Sequence, residues 1–184
     1  LRTNVYRELI EHDELRIVFF VRTTERAEYY RREFAHPRVS YEVVSYQPRH
    51  WLDRMLGFLK FHLIRTRTTD MRRQMNREIS GNAISYFFGL VLNRALARPS
   101  VREFLRRIDE QWVSDRTFAP YFERYQPDLV FLAHLFDDEE VAFLREAKRR
   151  SVQTIGFINS WDKVTARCAI RILPDELLVY NEIV

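Results

Sequence analysis

Five successive residues, Asn159-Ser160-Trp161-Asp162-Lys163, place an amide, a hydroxyl, an indole, a carboxylate and an ammonium directly after the apolar run Gln153 to Ile158. An indole offers a flat apolar face to a sugar ring, and the polar groups beside it can bind hydroxyls or phosphate. The same residues also suit a turn in which Asp162 caps the next helix and Trp161 plugs a sheet edge. His134 ends a second apolar run, Asp128 to His134, and an imidazole that titrates near neutral pH is a candidate base. Asp137 and Asp138 stand close by, though helix capping accounts for at least one of them. A third group, Arg22, Thr23 and Thr24, follows the run Leu15 to Val21 and can hold substrate oxygens.

Each group lies at the end of a strand-like run, where ligands gather in open parallel sheets. The elements that would position them follow from periodicity. Leu1, Val5, Leu9 and Ile10 recur at helical spacing over residues 1–11. Leu15 to Val21 reads as a buried strand, Thr23 or Thr24 as the cap of a helix ending near His36-Pro37, and Val39 to Tyr46 as a second strand. From Trp51 to about Ala97 only helical spacing is present, so residues 48–98 read as a helical insertion. Ser100 and Glu103 have capping-box spacing, with Val101, Phe104, Leu105 and Ile108 on the inner face. A short helix follows around Tyr121 to Tyr125. Strand and helix then alternate again: Asp128 to His134, a helix introduced by Asp137 and Glu140, Gln153 to Ile158, and Glu176 to Tyr180. This rhythm predicts an α/β, Rossmann-like three-layer αβα lobe with a parallel sheet.

Several chemistries are disfavoured. There is no GxGxxG, no P-loop, no GxSxG elbow and no His/Cys/Asp spacing that suggests a zinc site. No Asp-x-Asp pair follows a strand, which speaks against a metal-chelated nucleotide sugar. The single cysteine, Cys168, excludes an internal disulfide framework, and the composition suits a reducing, cytoplasmic compartment. Net charge is +4, from 30 basic and 26 acidic groups, a mild excess that makes nucleic acid an unlikely partner. Only three of the basic residues are Lys, the rest being Arg, which binds phosphate and carboxylate bidentately. Over residues 51–77 an apolar helix adjoins Arg65, Arg67, Arg72, Arg73 and Arg77, so this stretch can either rest on an anionic membrane surface or pack on the sheet with a solvated Arg face.

The last third carries a resemblance. Pro127-Asp128, the basic helix end Ala147 to Arg150, the Gly156 to Lys163 segment and Pro174 to Glu182 resemble a group of GT-B-like glycosyltransferases of surface-polysaccharide biosynthesis, marked by a Ser-Trp-Asp-Asn loop. That group is distantly similar to CDP-glycerol glycerophosphotransferases and UDP-GlcNAc 2-epimerases. The opening, Leu1-Arg2-Thr3 before a Val-x-Arg-Glu-Leu helix, is also similar, whereas the helical middle is not. Lys163 stands where the group has Asn, and Ala166-Arg167-Cys168 replaces a Ser-Lys-Gly-like turn.

The resemblance implies one lobe of a GT-B fold: the acceptor-side, N-terminal lobe, with a first strand upstream of Leu1 and a nucleotide-sugar lobe after Val184. It implies a glycan or lipid-linked acceptor, a nucleotide sugar for the full-length enzyme and none in this fragment, and no metal. The family's strand-end loops place Ser160, Trp161 and Asp162 facing the cleft; together with the strand-end reading above, Asp162 and His134 are the catalytic candidates, and Asn159, Ser160, Trp161, Lys163, Asp137, Thr23 and Arg22 the substrate-binding ones. A non-catalytic binding module and half of a sugar-nucleotide epimerase are the alternatives.

Overall fold

The computed structural model describes residues 4–48, 50–158 and 168–179. Among them are eight α-helices and five short strands, and each strand pairing is parallel. The chain is therefore α/β, as the alternating periodicity predicts. It divides into two compact units, Leu1–Tyr46 and Gln47–Val184.

The first unit runs α1 (Asn4–Glu11), β1 (Ile17–Val21), α2 (Thr24–Glu33) and β2 (Val39–Val43), with β1 and β2 paired from Ile17↔Val39 to Val21↔Val43. Thr23 caps α2, its side chain accepting from the Arg26 amide at 3.3 Å. At the other end of α2 the Phe34 carbonyl accepts from Tyr6 Oη at 2.9 Å and Tyr41 Oη at 3.2 Å, which satisfies an orphan helix-end acceptor. Burial first, and Tyr6 next, push the Tyr41 phenol up to about 12. The Phe19 and Tyr41 rings stack across the strands with centroids 5.6 Å apart.

The second unit runs α3 (Trp51–Leu59), a 3₁₀ turn (Lys60–His62), α4 (Arg67–Ser80), α5 (Ala83–Leu96), α6 (Pro99–Trp112), α7 (Ala119–Tyr125), β3 (Leu129–Leu132), α8 (Asp138–Arg149), β4 (Gln153–Phe157) and β5 (Glu176–Leu178). Its sheet has the order β3-β4-β5. Residues 48–98 contain helices and no strand among those described, in line with their spacing. Val130, Leu132, Thr154 and Gly156 are buried, while Leu129 and Phe131, on the opposite face of β3, are 48% and 57% exposed.

Helix α6 opens at Pro99-Ser100, as its residues suggest, but without the capping box expected of Ser100 and Glu103. Its N-cap is Arg98 with Pro99 in the first turn, and Ser100 lies inside the helix. The proline ring presets φ for a helix start, so it moves the boundary ahead of the serine. Glu103 instead faces Arg107 at 3.4 Å. Leu105 and Ile108 pack on buried Leu52, Leu56 and Val113, and Val101 packs on Leu63, Ile64 and Ala169. Phe104, expected on the inner face, is 61% exposed.

Beneath these contacts lies a buried ionic lattice. Arg145 Nη2 donates to Asp109 Oδ1 at 2.6 Å and to Asp53 Oδ1 at 2.9 Å. Arg171 Nε donates to Asp109 Oδ2 at 2.7 Å, and Arg171 also reaches Asp53 Oδ1 and Asp138 Oδ1. Lys60 Nζ closes the set on Asp138 Oδ1 at 2.7 Å. Three cations thereby meet three carboxylates, the condition under which buried charge is tolerated. Burial alone would lower the Arg171 pKa, but Asp109 and then Asp53 outweigh it and raise it. The lattice ties α3, α6, α8 and the segment after Cys168 together.

Candidate functional site

Strands β3 and β4 are parallel neighbours with Leu132 opposite Gly156, so their following loops leave the same edge of the sheet. The loop after β3 holds His134 and Asp137. Asp137 is the N-cap of α8, yet its side chain makes no capping hydrogen bond. Glu140 takes the larger part: its Oε2 accepts from the His134 amide at 2.6 Å, reaching past the N-cap residue into the loop. The Asp137 amide in turn donates to the His134 carbonyl at 2.9 Å. The His134 side chain stays exposed.

Glu140 is the functional candidate that sequence reasoning read only as a capping partner. Burial, joined by the nearby charges of Asp137 and Glu139, pushes its carboxyl up to about 7, against the opposing pull of the His134 and Ala133 amides. A carboxyl poised there can take or give a proton at neutral pH, and it grips the backbone of the residue that carries the candidate imidazole. Its signal in the sequence was weak, because Glu three residues after an N-cap is ordinary capping chemistry. Asp138, in contrast, is bound to Lys60 and Arg171 and belongs to the ionic lattice.

Asn159, Ser160, Trp161, Asp162 and Lys163 lie outside the described residues. The chain on either side of them is well anchored. Ile158 is buried and its amide donates to the Leu178 carbonyl at 3.0 Å. Beyond the segment Cys168 is buried, and the Ala169 amide donates to the Lys60 carbonyl at 3.0 Å. Lys60 Nζ donates to the Phe136 carbonyl at 2.9 Å, in the loop that carries His134. Ala169 is thus linked through Lys60 to the loop that carries His134. Arg22 and Thr23 belong to the first unit, at the carboxyl end of β1; Arg22 is exposed and the Thr23 hydroxyl serves as a helix cap.

Comparison with protein-family models, with curated proteins and with solved structures finds no match. The site stands on its own geometry.

Two residues of the resembling motif have packing roles. A Cβ on Gly156 would come within 2.6 Å of Leu135 and 2.7 Å of Pro174, so any side chain there would force one of them to shift. Asp175 clamps the entry to β5: its Oδ2 accepts from the Thr154 amide at 2.9 Å and hydroxyl at 2.6 Å, and its Oδ1 from Lys148 Nζ at 2.9 Å. The Thr154 hydroxyl, with Lys148, lowers the Asp175 pKa. Both features hold β4 and β5 in register and so set where the chain leaves the sheet at Ile158.

Among the described residues no group of three or more His, Cys, Asp or Glu side chains could hold a metal ion. A separate cleft of about 500 Å³ is lined by His50, Ser114, Asp115, Arg116 and Thr117.

Proposed function

We propose that this chain is the acceptor-side lobe of a GT-B-like glycosyltransferase of cell-surface glycan assembly, Rossmann-like in architecture. The nucleotide sugar would be held by a lobe downstream. One observation carries the reading: the loop after β3 carries His134, whose amide is held by the near-neutral Glu140 of α8, and the parallel neighbour β4 leads towards the Asn159–Lys163 segment. Such an edge suits recognition of a hydroxylated acceptor. In the reaction, Asp162 or His134 accepts the proton of the acceptor hydroxyl as its oxygen bonds to the anomeric carbon. The bond from that carbon to the nucleotide phosphate breaks, and the nucleotide leaves with the electron pair. Glu140, whose Oε2 holds the His134 amide, positions the loop.

Saturation-transfer NMR on the 184-residue chain tests the binding half of this reading, with short oligosaccharides and nucleotide sugars as ligands. Oligosaccharides should receive saturation, nucleotide sugars should not, and Trp161→Ala should abolish the signal without moving the melting temperature. Nucleotide sugars binding in preference to glycans, or an unaffected Trp161→Ala variant, would overturn it.

A further inference from the structure

The strongest unexplained feature is the helical hairpin α4–α5. Thr66 and Thr69 form a reciprocal capping box at the start of α4, Gly81 ends it in the left-handed region at φ 67°, and the Asn82 side chain accepts from the Ser85 amide at 2.9 Å to start α5. The base of the hairpin is fixed. Asn93 is fully buried, and its Nδ2 donates to the His62 and Ile64 carbonyls at 2.9 and 2.7 Å. The tip is bare. Met71, Met75 and Ile79 recur at four-residue spacing on α4, and Ile84, Phe87, Phe88 and Val91 follow the helical stripe of α5; all are more than half exposed, Ile79 and Ile84 above 80%.

Charge separates the candidate occupants. Residues 65–98 carry seven Arg against Asp70 and Glu78, a net +5, while the whole chain carries +4, so the remainder sums to −1. No charged residue occurs from 79 to 93. A second copy docked face to face would bring two net-positive segments together, and a nucleic-acid backbone would leave the aliphatic stripe unsatisfied. An anionic bilayer surface matches both properties at once: apolar groups enter the acyl boundary while arginines meet the headgroups. The Arg77 guanidinium already lies over the Tyr86 ring, 5.2 Å from its centroid, which holds a cation beside interfacial aromatics. Each helix has 14 residues and so is about 21 Å long, shorter than the roughly 30 Å hydrocarbon core.

We propose that α4–α5 is an interfacial docking hairpin for anionic phospholipid membranes, lying in the headgroup region without spanning. The proposal is independent of the transferase reading. It overlaps the stretch 51–77 expected from the sequence; in α3, Leu52 and Leu56 turn inward onto α6 while Trp51, Met55 and Phe58 stay exposed. Co-sedimentation of the full chain with phosphatidylcholine vesicles, with and without phosphatidylglycerol, provides the test. Binding should require the anionic lipid and weaken with added salt. Phe87→Ser/Phe88→Ser and Arg72→Glu/Arg77→Glu should each lower the bound fraction roughly tenfold, with helix content by circular dichroism retained because these side chains are mostly solvent-facing. Binding that ignores anionic lipid content, or that survives both double variants, overturns the proposal. So does a dimer in analytical ultracentrifugation that Phe87→Ser/Phe88→Ser abolishes.

Discussion

Arg171 Nε meets Asp109 Oδ2 at 2.7 Å across 62 residues of chain, and both side chains are almost completely withdrawn from solvent. This pair fastens the segment after Cys168 to α6. Because Arg171 Nη1 also bonds Asp138 at 3.3 Å, the same guanidinium reaches the helix that begins at the candidate site. Buried ionic groups thus form part of the frame that positions the β3–α8 loop.

Removing one partner from that lattice leaves buried charge without compensation. Asp109→Ala should cost about 3–5 kcal/mol of stability, because Arg145 and Arg171 both lose an acceptor. Urea unfolding measures it, and a loss below about 1 kcal/mol would show the lattice to be dispensable.

Two glycines should respond in opposite directions to alanine. Gly156→Ala drives a methyl into Leu135 and Pro174 and should destabilise by about 1–3 kcal/mol. At Gly57, inside α3, the nearest atoms to an added Cβ are 3.7 Å away, an ordinary contact. Gly57→Ala should therefore stabilise by roughly 0.5–1 kcal/mol through helix propensity. Thermal melts of the pair decide, and equal effects of one sign would refute the packing argument.

Glu140 makes stability depend on pH. Its carboxyl rises from 4.5 in the unfolded chain to about 7 in the folded one, so between those values the native state holds the extra proton. This contribution is fully present below pH 4.5 and is lost as pH rises toward 7. At about 1.4 kcal/mol per pKa unit, and allowing for partial solvation, the loss is roughly 1–3 kcal/mol. Glu140→Gln keeps an oxygen for the His134 amide and should flatten the slope. Denaturant midpoints across that range compare the two proteins; parallel curves would remove Glu140 from the account.

If the proposed transferase reading holds, His134→Ala and Asp162→Asn should each abolish glycosyl transfer, and His134→Ala should leave the melting temperature nearly unchanged. The His134 side chain is exposed, and the bond to Glu140 uses its backbone amide, which alanine retains. Turnover with a glycan acceptor is the measurement. Wild-type turnover in both variants would dismiss the assigned roles.

Local rules made much of the fold legible. Leu15 to Val21 and Gln153 to Ile158 are apolar runs of strand length, and they contain β1 and β4. Thr23 caps α2 because a hydroxyl before a helix finds a free amide three residues on. Pro99 beat Ser100 as the start of α6 because a fixed φ acts before any side-chain cap can form. The candidate site was legible only in part: His134 and Asp137 were singled out, whereas Glu140 was hidden behind a capping role.

By itself, the sequence determined element type, strand direction and the placement of His134 at a strand end, since periodicity and caps are properties of neighbouring residues. Only the tertiary structure decided which charges share the interior, which apolar stripe stays bare on α4 and α5, and that the Glu140 carboxyl is lifted toward neutrality. Burial and Coulomb interaction depend on distances between residues far apart in the chain, such as Asp53 and Arg171, 118 positions away.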